Sequence, residues 1–146
     1  MNGIMPLRSN AESWAAVVRD NTEYPDTPYW NKWRSVISPL IDEAIKAGYD
    51  KLFRAGKSMH HILLSTIDHH GLREEPRVTL AVADNWKIHI HYSTANMYFG
   101  SAIQSQLVQP VEAFPVLTRY LQHLWTETVP EPIPEVLRKH DSKEIQ

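Results

Sequence analysis

The chain has 146 residues, of which 42% are hydrophobic and 22% charged, with 15 basic side chains against 17 acidic ones. That is one domain's worth of ordinary globular usage, and it excludes a disordered chain, a collagen and the strongly basic face of a general nucleic-acid binder. No cysteine occurs, which removes disulfides, iron–sulfur clusters, thiol nucleophiles and thiolate zinc sites.

The opening stretch MNGIMPLRSNAESW carries no apolar segment behind a basic start, so no secretory leader is expected. No run approaches the roughly 18 apolar residues of a membrane helix, and a soluble, cytoplasmic protein is the expectation. Ser9 with Glu12 three residues on has capping-box spacing, and Trp14, Val17 and Val18 follow on one face. Each of the two polar side chains can satisfy the other's free backbone N–H, which predicts a helix over about 10–20. Thr27-Pro28 is an N-cap followed by a proline at the first helical position. Tyr29, Trp30, Trp33, Val36, Ile37, Leu40, Ile41, Ala44 and Ile45 then recur at helical spacing up to Gly48. Pro39 leaves two versions open over 28–47, one kinked helix or two abutting ones.

From about residue 51 the period changes. Lys51–Ala55 reads as a short strand, Gly56-Lys57-Ser58 as a turn, Met59–Thr66 as a strand and 67–75 as a loop. Arg77–Ala83 and Trp86–Ser93 both alternate, with Asp84-Asn85 marking a hairpin between them. A two-residue loop would set Val82 against Lys87 on one face. A three-residue loop that includes Trp86 pairs Val82 with Ile88, Leu80 with Ile90 and Val78 with Tyr92, and keeps the apolar face continuous. The same register sets Ala81 against His89 and Thr79 against His91. Ile103–Val108 reads as a further strand after the connector 94–102, and about 111–127 as a helix with Pro115 in its first turn. Three prolines at alternate positions in Val129–Glu135 impose an extended segment, and the polar end LRKHDSKEIQ is expected to be unstructured.

These elements predict an α+β fold: N-terminal helices, an antiparallel meander sheet of three to five strands, a C-terminal helix packed on one sheet face, and an extended Pro-rich tail. The expected organisation is a single domain over 1–128 and a tail over 129–146.

Chemistry is offered chiefly by histidine. Six of the eight fall between His60 and His91. His89 and His91, two apart on a strand, point to one face and could hold two positions of a metal shell, with His61 or His69 as further ligands. The same three, His89, His91 and His61, are the candidate acid/base groups of a catalytic site. The adjacent rings of His60 and His61 face opposite sides of a strand, so only one joins that face. Ser65 and Ser93 sit at strand ends where a histidine could reach them. There is no Gly-x-Ser-x-Gly elbow, no phosphate loop around Gly56-Lys57-Ser58 and no dinucleotide fingerprint. Trp30 and Trp33 read either as anchors of the helical layer or as an exposed patch, and Met97, Tyr98 and Phe99 in a connector read as a lid or an interface.

Two kinds of function follow. The first is a binding or accessory module acting through a protein partner or as a homodimer, with no cofactor, no nucleic acid and no membrane, and with Trp30, Trp33, Met97, Tyr98 and Phe99 as its contacts. The second is a small histidine-based or divalent-metal-dependent hydrolase on the sheet face. A small-ligand sensor with an aromatic pocket wall is a third. The sequence leans away from an enzyme, and what separates the first two is whether anything covers the histidine face.

Overall fold

The computed structural model describes residues 9–66, 76–93 and 104–141. The first helix, α1 (Asn10–Thr22), starts as its spacing predicts: Ser9 Oγ accepts from the Glu12 N–H, and Glu12 returns the bond to the Ser9 N–H. α2 (Pro28–Lys46) is one continuous helix, with Thr27 as its N-cap and Pro39 inside it. Pro39 faces solvent, so the carbonyl deprived of its helical donor is open to water. The α1–α2 connector is pinned by Arg34, whose guanidinium donates to the carbonyls of Asn21, Tyr24 and Pro25.

α2 ends at Gly48, with φ +91. A Cβ there would meet Val136 at 3.5 Å, an ordinary contact, so space does not demand glycine; the left-handed backbone does. Gly48→Ala is therefore expected to cost about 1–2 kcal/mol of unfolding free energy, measured as a shift in urea midpoint. A loss below a few tenths of a kcal/mol would show that the turn relaxes at no cost.

Five strands follow: β1 (Arg54–Ser58), β2 (His61–Ser65), β3 (Arg77–Val82), β4 (Ile88–Ser93) and β5 (Gln104–Val108). They form one antiparallel meander in chain order. The fold is α+β, as the pattern predicts. The central hairpin has the predicted register throughout, Val82↔Ile88 to Val78↔Tyr92. Its three-residue loop is closed by Ala83 N–H to Lys87 O at 2.8 Å and Trp86 N–H to Ala83 O at 2.9 Å, with Trp86 at φ 65.

The β1–β2 turn corrects the sequence reading. Gly56-Lys57-Ser58 has turn composition but lies in β1, Gly56 opposite Leu63 and Lys57 opposite Ile62. A 3-10 turn at Tyr49–Lys51 occupies the place where the strand was expected to begin. The reversal itself falls on Met59-His60, with Met59 at φ 59. Lys57 belongs in the strand because its stem crosses aromatic surface: Nζ lies 4.3 Å from the Tyr24 ring centroid and bonds Asn21 Oδ1 at 2.9 Å and the Tyr24 hydroxyl at 2.6 Å.

One face of the sheet is apolar. Ile62, Leu64, Val78, Leu80, Ile88 and Ile90 share a single core with Trp33, Val36, Ile37, Leu40 and Ile41 of α2 and with Leu117, Leu121 and Leu124 of α3 (Ala113–Thr128). The chain past Thr128 stays on the body. Trp125 Nε1 donates to Glu131 O, and Gln122 Nε2 to Leu137 O. α4 (Glu135–Asp141) forms where an unstructured end was expected, because Leu137 is buried in the core and Val136 packs against it. Among the described residues no helix is long and apolar enough to cross a membrane.

Candidate functional site

The candidate site is the second face of the sheet. The pairing lays it out in rows. Arg54↔Ser65 and Arg77↔Ser93 form one row at one end. Gly56, Leu63, Thr79, His91 and Ser105 form the next, each paired to its neighbour. Towards the hairpin end come Ser58↔His61 on β1–β2 and Ala81↔His89↔Leu107 on β3–β5. His61 precedes Ile62, which pairs with Leu80, so it borders Ala81.

The register thus brings His61, His89 and His91 onto one face. The His89 and His91 rings lie 4.9 Å apart at 34°. His60 lies in the β1–β2 turn and not in a strand, so strand alternation does not separate it from His61: its ring meets His61 edge-on at 5.2 Å and Trp30 edge-on at 5.9 Å. Exposure grades along the face, with His61 open to solvent and His89 and His91 partly covered. His91 carries the largest electrostatic signature. Burial, then the neighbouring His89, His61 and Arg77, push its imidazole down to about 4. His61 is pushed down too, by burial first and then by His60 and His89. At neutral pH His91 is therefore an uncharged ring, fit to accept or donate a hydrogen bond.

The far end of the face is enclosed. Arg54, Ser65, Thr79 and Ser93 are all buried, and Arg77 is partly so. Arg54, Ser65, Arg77 and Ser93 are each engaged with a partner, as buried polar groups must be. The alternation in Arg77–Val82 already set Arg77 and Thr79 beside the histidines, but nothing in it revealed that this end is closed to water.

Among the described residues no three His, Asp or Glu side chains converge closely enough to hold a metal ion. His69 and the trio Met97, Tyr98 and Phe99 lie outside the described residues. Of the aromatic candidates, Trp33 is 1% exposed and belongs to the core. Trp30 is half-buried, stacked on Tyr24 at 4.3 Å and edge-on to Trp33 at 5.6 Å. Trp33 therefore offers no contact surface, while the Trp30 ring stays partly exposed beside the exposed Tyr29 at 4.9 Å.

Away from the sheet face, a groove of about 210 Å³ between α1 and α2 is lined by Val18, Arg34, Ile41 and Asp42, among others. It falls below the ~300–1,000 Å³ of typical small-molecule sites. Comparison with protein-family models, with curated proteins and with solved structures finds no match.

Proposed function

We propose that the chain is a binding module rather than a catalyst, and that it meets a protein partner through the histidine-bearing face of the sheet and the adjoining β5 edge. The observation that carries this reading is the openness of the hairpin end of that face. Ser58, His61 and Leu107 are exposed there, and among the described residues no helix lies over them. Catalysis by imidazole gains from a roof that excludes water and fixes dipoles; an open, mixed polar and apolar strand surface suits a macromolecule.

The test is a photo-reactive residue placed in the full chain at His61 or Ser105 on this face, and at Asp42 on the exposed side of α2 as control. The expected result is a discrete adduct from the face positions only. Equal adducts from all three positions, or none, would overturn the reading. A second reading, a histidine-assisted hydrolase, is favoured by one observation, the uncharged His91 ring beside His89. It predicts hydrolysis of p-nitrophenyl acetate above the rate of free imidazole, lost in His91→Ala. The binding reading predicts no excess over imidazole.

A further inference from the structure

β1 and β5 are the two edges of the sheet, and the chain treats them differently. α1 lies along β1. Ser13 Oγ accepts the Ala55 N–H at 2.9 Å, and Trp14 Nε1 donates to the Phe53 carbonyl at 2.8 Å. Among the described residues no element pairs with the outer side of β5. A bare edge is a template for another strand, and natural sheets blunt it with lysine, proline, a bulge or a covering segment. The five residues of β5, Gln-Ser-Gln-Leu-Val, contain no charge and no proline, and the first four are exposed. Leu107 is 47% exposed, and Val111 just beyond the strand is 90% exposed. These are two of the four large apolar side chains left open among the described residues.

We infer that β5 pairs with the β5 of a second copy of this chain, antiparallel about a two-fold axis, joining two five-stranded sheets into one. This rests on the binding-module reading and names the partner of its β5 edge alone, leaving the histidine face open. Three features select a copy over a foreign strand. Gln104, Ser105 and Gln106 present amides and a hydroxyl, which both donate and accept and are therefore complementary to themselves. The strand holds no charge to repel an identical strand or to select a different one. Pairing about a two-fold also lets one edge satisfy the same edge, the isologous contact of most homodimers.

The geometry has a strict consequence. An axis that makes two edge strands antiparallel neighbours stands perpendicular to the sheet. Both helical layers then lie on one side, and both histidine faces form one continuous surface on the other. One β5 residue sits on the axis directly opposite its own copy, where the Cα atoms are about 4.5–5.5 Å apart. That is within disulfide reach, and the chain has no native cysteine to compete.

Sedimentation equilibrium of the full chain should give twice the 16.9 kDa chain mass. Leu107→Lys, an exposed change that charges the edge, should raise the dimer Kd at least tenfold and leave the far-ultraviolet circular dichroism of the folded chain unchanged. Of Ser105→Cys, Gln106→Cys and Leu107→Cys, one should form a disulfide-linked dimer far faster than the other two under mild oxidation. A mass of 16.9 kDa up to 200 µM overturns the inference, as does a dimer that neither Leu107→Lys nor any cysteine position touches. A monomer whose Ser105 photo-adduct contains a foreign protein overturns the copy alone and leaves the binding reading standing. A monomer with no adduct overturns both.

Discussion

Trp33→Ala should lower the melting temperature by 10 °C or more, and Trp30→Ala by a fraction of that. The two residues stand three apart on α2 and carry the same side chain, but their surroundings differ. Trp33 is enclosed in the core, edge-on to Tyr24 at 5.2 Å and to Trp30 at 5.6 Å, with the Lys57 ammonium 5.7 Å from its ring. Deleting a buried tryptophan removes its transfer free energy and leaves a cavity, together about 3–5 kcal/mol. In a domain near 150 residues each kcal/mol shifts the midpoint by roughly 2–4 °C. Trp30 is partly exposed, so its loss removes mainly the stack on Tyr24 and the edge contacts, about 1–2 kcal/mol. Trp33 Nε1 is buried with no hydrogen-bond partner, so Trp33→Phe removes an unsatisfied donor along with some volume and should cost less than half of the alanine change. Calorimetric melts of the three variants check this. Equal losses at positions 30 and 33 would mean that the two rings share one environment, contrary to the packing.

The second large effect is on pH. The His91 imidazole is held near 4 in the folded protein, below its ordinary 6.5, by burial and by His89, His61 and Arg77. Between these values the unfolded chain binds a proton that the folded chain refuses. The stabilisation from the uncharged ring is complete above about pH 6.5 and is lost as pH falls towards 4. His91 is partly exposed, and solvent screening reduces its share to about 1–2 kcal/mol. His91→Gln should leave stability at pH 7 little changed and flatten the fall between pH 6.5 and 4 by that amount, read from urea midpoints of both proteins. Carboxylates contribute to acid unfolding in both, so the difference between the curves isolates the histidine. Parallel curves would show that the ring is solvated like any other.

How much of this was legible in the sequence depends on which physical effect fixed each element. The central hairpin was, because only one loop length keeps Val78, Leu80 and Val82 on the same face as Ile88, Ile90 and Tyr92. Side-chain period alone then put His89 and His91 together. Ser9 with Glu12, and Thr27 with Pro28, marked helix starts through purely local bonds. The β1–β2 turn was not legible. Gly56 and Ser58 suggest a reversal, but the contact of Lys57 with Tyr24, 33 positions earlier in the chain, holds that stretch extended. The reversal instead takes Met59, whose side chain does not favour a positive φ. α4 was hidden for a similar reason. A short polar helix has little propensity of its own, and it forms because Leu137 finds the core. The alternation that places the histidines says which way side chains point. It is silent on which end of the face is closed, since closure depends on parts of the chain distant in sequence.

The strand order of the sheet has a kinetic consequence. Because spatial order equals chain order from β1 to β5, every strand pairs with its neighbour in the chain, across two residues between β1 and β2, a three-residue reversal between β3 and β4, and 11 and 10 residues in the other two connections. Loop-closure entropy is small for each step, and mean sequence separation in the sheet is low for a β structure. The hairpin around Asp84-Asn85 can therefore zip in microseconds and offer its apolar face as a template on which β2 and β5 add from either side. The bonds from α1 to the β1 edge span 39 and 42 residues. They close the largest loops among these contacts, so this edge is sealed late, after the sheet it protects has formed.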